Sequence, residues 1–186
     1  EWDPAASIYT KKFDFNLADG ILPFGNLTMS GGKFYGMTGA GGSSNDGVIF
    51  EWDPVSNIYA KKIDLNAANG RYPFGDLVLN SGKFYGMTSE GGANDLGVIF
   101  EWDPASNTYT KKIDLDIAKG NSPFASMTLS GGKFYGMMRL GGTNNEGVLF
   151  EWDPATNIYT KKIDLTATTG SKPITSLTLS GSKFYG

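Results

Sequence analysis

The sequence predicts an all-β fold, a β-propeller of 50-residue four-stranded antiparallel blades. Three observations predict it. Glu-Trp-Asp-Pro recurs at Glu1, Glu51, Glu101 and Glu151, and Lys-Phe-Tyr-Gly recurs at Lys33, Lys83, Lys133 and Lys183, with no insertion or deletion between copies. Each unit holds short runs with a two-residue apolar alternation, split by Gly-, Asn- and Pro-rich turns. No stretch carries the 3.6-residue apolar period of a helix. A four-stranded sheet with aromatic residues on both faces cannot hide them alone, and stacking such sheets covers both faces of each.

One unit shows the elements in order. Leu77 and Leu79 alternate with polar neighbours, Asn80-Ser81-Gly82 turns the chain, and Lys83 to Thr88 alternates again, which reads as a hairpin. Residues 89–97 are loop chemistry, rich in Gly, Asn and Asp. Val98 to Asp103 is a third strand, with Val98, Phe100 and Trp102 on one face and Ile99, Glu101 and Asp103 on the other. Asp103-Pro104-Ala105-Ser106-Asn107 is a turn, in which Pro presets φ and Asn tolerates the left-handed region. Thr108 to Leu115 is a fourth strand, and simple alternation places Tyr109, Lys111, Ile113 and Leu115 on one face. Gly120 and Pro123 interrupt regular structure in the crossover to the next unit.

Composition bounds the chemistry. The chain has 186 residues, 40% of them apolar, and a net charge of −3, which gives no electrostatic case for nucleic acid. No run of 18 apolar residues exists, so no membrane-inserting helix is expected. With no Cys and no His, the sequence excludes disulfides, the usual zinc sites, Cys nucleophiles and Ser-His-Asp triads. No signal peptide is visible, and the chain starts inside a repeat, as a mature or excised piece would. A single tandem-repeat domain over 1–186 is expected, with units 1–50, 51–100, 101–150 and a truncated 151–186.

The order GGKFYGM, loop, GVxFEWDPxxNxY, KKIDL resembles kelch-type blades, with Tyr9, Tyr59, Tyr109 and Tyr159 where those blades carry Trp. It resembles the GloVer repeat more closely. That signature reads here as Tyr85-Gly86-Met87-Thr88, Gly91-Gly92, Gly97-Val98-Ile99-Phe100 and Pro73-Phe74-Gly75-Asp76-Leu77, and it departs at Met138. The resemblance implies a secreted or surface-attached bacterial protein and transfers no catalytic residue.

The ends of the chain are complementary parts of one unit. The C-terminal end supplies strands one and two, and Glu1 to Phe15 supply the end of strand three and strand four. The expectation is about four blades, the last shared between the two termini, with Lys183 to Gly186 pairing near Glu1 to Asp3. The alternatives are an open superhelical array of four-stranded sheets, or completion of the half-blades by a neighbouring chain.

Candidate chemistry is weighed against architecture. Glu51 and Asp53 share a strand face, as paired acid–base carboxylates would, but the pair recurs in every unit, whereas an active site is normally unique. The expected roles are a turn cap for Asp and a strand-four Lys partner for Glu. Asp46, Asp95 and Glu146 lie in loops that could hold Ca²⁺, although each loop has one acidic residue. Trp2, Trp52, Trp102 and Trp152, with pairs such as Phe34-Tyr35, could stack on glycans, but read first as core. Asn26-Leu27-Thr28 fits the N-glycosylation pattern. No catalytic, cofactor or metal residue is assigned. The function expected is a non-enzymatic extracellular or cell-surface structural or adhesion protein that self-associates, with a glycan-binding lectin as the alternative.

Overall fold

In each unit the chain first reverses in a two-residue turn. In the first complete unit that turn is Gly31-Gly32, with φ of +56° and +79°. Two consecutive positive φ values match the right-handed twist of the flanking strands, and glycine reaches them without a Cβ clash. The computed structural model describes residues 1–186 and contains 16 strands and no helix. The strands are β1 (Trp2–Asp3), β2 (Ile8–Tyr9), β3 (Thr28–Ser30), β4 (Lys33–Thr38), β5 (Val48–Asp53) and β6 (Ile58–Asp64). They continue as β7 (Val78–Asn80), β8 (Lys83–Thr88), β9 (Val98–Asp103), β10 (Thr108–Asp114), β11 (Thr128–Ser130) and β12 (Lys133–Met138). The last four are β13 (Val148–Asp153), β14 (Ile158–Asp164), β15 (Thr178–Ser180) and β16 (Lys183–Tyr185).

The predicted sheets are present. β3 to β6, β7 to β10 and β11 to β14 each form a four-stranded antiparallel meander in sequence order. The register repeats: Phe34 faces Trp52, Phe84 faces Trp102 and Phe134 faces Trp152. One feature of strand four departs from simple alternation. The register shifts between Lys111 and Ile113, so that Lys111 faces Phe100 while Ile113 faces Ile99. This bulge moves Ile113 to the opposite side from Tyr109 and Lys111, so the four residues do not share a face.

Successive sheets stack through aromatic wedges. Tyr35 of the first sheet packs on Phe84 and Trp102 of the second, with ring centroids 4.5 and 5.8 Å apart. Tyr85 repeats this on Phe134 and Trp152 at 4.7 and 5.8 Å. Such pairs add about 0.5–1.5 kcal/mol each beyond the area they bury. Within its own sheet Gly86 makes room for its cross-strand partner, because a Cβ there would lie 2.5 Å from Cζ of Phe100. Polar ties with a 50-residue offset set the spacing. The Asn26 amide donates to Asp76 Oδ1 (2.6 Å), the Asp76 amide to Ser126 Oγ (2.7 Å) and the Ser126 amide to Ser176 Oγ (2.9 Å). Thr28 and Thr128 hydroxyls donate to the Leu77 and Leu177 carbonyls. Val78 has no hydroxyl with which to make the intervening bond.

The shared sheet expected from the two termini is not formed. β1–β2 and β15–β16 are separate two-stranded sheets, with no pairing between β16 and β1. The aromatic wedge and the 50-residue ties fix each sheet on its predecessor, and each terminal hairpin has a neighbouring sheet on one side. Exposure follows: Trp2 is 56% exposed, whereas Trp102 and Trp152 are fully buried.

Candidate functional site at the open ends

The repeated polar residues serve the sheets. Asp53 Oδ1 accepts from the amides of Val55 (2.8 Å) and Ser56 (3.2 Å), which closes the turn after Pro54. Asp103 and Asp153 do the same for their turns. Glu51 takes Lys33 Nζ at 2.8 Å and Lys62 Nζ at 3.3 Å, so it bridges strand two and strand four of its own sheet. The strand-two lysine was missing from the sequence reading, because Lys33 lies 18 residues upstream and only the register brings it across. Glu101 accepts from Lys83 Nζ (2.8 Å) and from the Tyr85 hydroxyl (2.9 Å).

The titration behaviour follows from these contacts. Burial pushes the Glu51 and Glu101 carboxyls up, but hydrogen bonds from Lys and Tyr outweigh it and leave both below the usual range. Glu151, hydrogen-bonded to Lys133 and then Lys162, is pulled down to about 2. Burial and the hydrogen bond to Glu51 push the Tyr35 phenol up to about 12. A carboxylate locked in its ionised form by two ammonium groups is poorly matched to proton transfer near neutral pH.

The other candidates are also placed. The loop acids do not occupy equivalent positions. Asp95 stands where Asn45 and Asn145 stand and does their task, accepting the Gly91 amide at 3.0 Å as Asn45 accepts that of Gly41. It also pairs with Arg71 at 3.0 Å. Asp46 and Glu146 each give their backbone carbonyl to the next unit, at the amides of Tyr72 and Lys172. No three acidic side chains gather in a metal-ligating cluster. Trp52, Trp102 and Trp152 donate their indole N–H to Asn57, Asn107 and Asn157 at 3.1–3.2 Å. These asparagines, at φ of +52° to +58°, in turn donate to the Lys12, Lys62 and Lys112 carbonyls of the preceding unit. Phe34 and Tyr35 both pack, one against Trp52 in its own sheet and the other on the next sheet. Asn26 donates its side-chain amide to Asp76 at 3.3 Å, so the nitrogen that a glycan would need is engaged.

The two ends differ from the interior sheets. At the first end, Trp2 has Ser7 where the other tryptophans have Asn, and Leu27 is 48% exposed whereas its equivalent Leu77 is 1% exposed. A cavity of about 360 Å³ opens there, lined by Phe15, Leu27, Gly36, Phe50, Trp52 and Tyr59 among others. Phe13 and Phe15 occupy positions that are Ile and Leu in every other unit. Phe13 stacks on Tyr59 at 4.1 Å and Phe15 meets Phe50 edge-on at 5.4 Å, so the larger rings cover part of the open face. At the other end, Phe184 packs on Tyr135 at 4.4 Å, but no Trp completes the wedge, and Tyr185 is exposed.

A profile of the Gloeobacter/Verrucomicrobia repeat matches residues 1–186, the whole chain. The chain belongs to that repeat family. No curated protein matches it. The 50-residue unit of this Gloeobacter/Verrucomicrobia repeat protein is therefore a four-stranded sheet plus its crossover, and the repeated residues are those that build and stack the sheets.

Proposed function

We propose that this repeat protein is a non-enzymatic structural protein of the bacterial exterior, acting in a surface assembly or adhesion layer. In this role its stacked sheets associate with further repeats of their own kind. One observation carries the reading. The recurring Glu, Asp, Trp, Tyr and Asn side chains are engaged in building or joining sheets. Unpaired strand edges beside exposed aromatic faces are templates for adding strands. The absence of cysteine suits a fold that must be indifferent to oxidising surroundings.

Sedimentation velocity across a wide concentration range tests the reading. Mass should climb with concentration as the sheets of neighbouring chains associate. A single 20.0 kDa species at every concentration would overturn it.

A further inference from the structure

Resting on the adhesion side of that reading, we infer that the crossovers between sheets carry a binding ladder for an acidic polysaccharide. Phenylalanine rings lie under its sugars, and Arg139 takes one of its carboxylates. The ladder is Phe24, Phe74 and Phe124, one ring from each crossover at a 50-residue offset.

The rings form a column along the side of the stacked sheets. Phe74 stacks on Phe124 with centroids 4.5 Å apart and planes 10° apart, and Phe24 meets Phe74 at 5.2 Å and 55°. Phe74 and Phe124 lie in the interior of the chain, yet both keep part of their surface in solvent, unlike Trp102 and Trp152. With Phe24, Arg139 and Ile174 they line an open groove of about 470 Å³.

Variation gathers beside this column in units that are otherwise nearly alike. In the first and third units the residue that follows strand two lies over the ring of its own unit. At Gly39 a Cβ would sit 2.9 Å from Cδ2 of Phe24, and Arg139 holds its guanidinium 5.1 Å from the centre of the Phe124 ring. The residue two before each of Phe24, Phe74, Phe124 and Ile174 is Leu22, Tyr72, Ser122 or Lys172, at φ of +50° to +60°. Such a conformation strains any non-glycine residue. Every unit keeps the strain while the side chain changes, which is how a functional position behaves.

The charge in the groove has no partner within the chain. Arg71, the other arginine, pairs with Glu90 at 3.1 Å and Asp95 at 3.0 Å. Arg139 is in no ion pair, and the third unit has Leu140 and Asn145 where those acids stand. A guanidinium held on a ring face keeps its fork of N–H donors for a planar carboxylate. The C–H faces of pyranoses are apolar and pack on aromatic rings. Rings 4.5 and 5.2 Å apart recur at close to the length of one sugar in an extended chain. A sugar polymer bearing carboxylates supplies both groups in one regular ligand. A neutral glycan would leave Arg139 unpaired, and an acidic peptide has no apolar ring faces at this spacing.

Isothermal titration with a mannuronate hexamer tests the inference. Cellohexaose serves as a neutral control, and a hexamer of glutamate as a control with charge and no sugar. The mannuronate hexamer should bind saturably and at least about tenfold more tightly than either control. Arg139→Met should raise its Kd about tenfold and leave that of cellohexaose unchanged, because only the charge-assisted bond is lost. Phe74→Leu, which keeps the groove apolar but removes a ring, should weaken both sugars. Thermal melts check that both variants are folded. No saturable binding of the mannuronate hexamer, equal binding of the glutamate hexamer, or a folded Arg139→Met chain that binds as the wild type does would overturn the inference. A chain whose mass climbs with concentration but that binds no mannuronate keeps the assembly reading and loses this one. A chain that stays single and still binds does the reverse.

Discussion

Trp102 and Trp2 occupy the same position of the same repeat and live in opposite surroundings. Trp102 is fully buried, stacks on Phe84, and donates to an Asn that also reaches back to the preceding unit. Trp2 is 56% exposed and has a Ser where that Asn would be. The comparison of interior sheets with terminal half-sheets teaches that local sequence alone does not bury these residues. Burial comes from the neighbour. The stability of a stacked array is therefore a sum of sheet terms and nearest-neighbour terms, and the terminal sheets each lack one neighbour.

The sharpest way to break the comparison is to truncate both tryptophans. Trp102→Ala should destabilise the chain by about 3–5 kcal/mol, the usual cost of emptying a buried aromatic site. Trp2→Ala, measured in denaturant at a concentration where the chain is unassembled, should cost less than about 1 kcal/mol. Equal losses would mean that the terminal half-sheet is as well packed as the interior.

Gly86 and Gly36 sharpen it next. A Cβ at Gly86 strikes Phe100 inside a closed interface, and overpacking of that kind costs about 1–3 kcal/mol. A Cβ at Gly36 meets Phe50 at 2.6 Å, but Phe50 borders the open cavity and its ring has room to move. Gly36→Ala should cost less than half as much as Gly86→Ala in thermal melts.

The interior ion pairs set the acid limb of stability. The folded value of Glu151, about 2, lies below the ordinary carboxylate value of about 4.3 in an unfolded chain. The unfolded state therefore binds the proton first on acidification. The contribution is fully present above the unfolded value and is lost as pH falls from there toward the folded one. Glu151→Gln should flatten the fall in melting temperature between pH 5 and pH 2, and a parallel fall would contradict this. The smallest effect is expected at Lys111, whose pair with Asp114 at 2.8 Å is partly exposed. Lys111→Ala should change stability by no more than about 0.5 kcal/mol.

Much of the fold was legible because the repeat writes it four times. The turn at Asp103, the αL asparagine at 107 and the hairpin at Ser81-Gly82 follow from local chemistry, and the structure places all three as read. The bulge at Lys112 was not legible. Lys-Lys-Ile-Asp alternates acceptably in either register, and the choice is made by pairing with β9. The loop acids were misaligned by one position, because Asp95 and Asp46 look alike in composition but differ in which atom the fold uses. The open ends were visible as complementary pieces of sequence. Whether they meet depends on how each sheet seats on the last, a long-range property that no local pattern carries.

Segment-resolved amide hydrogen exchange, followed from dilute to concentrated protein, tests the central claim most directly. Residues 98–103 should be protected at every concentration. Residues 1–9 and 178–185, each in a two-stranded sheet that lacks one neighbour, should exchange fast. Terminal segments protected as strongly as residues 98–103 in dilute protein would contradict the claim that burial comes from the neighbouring sheet.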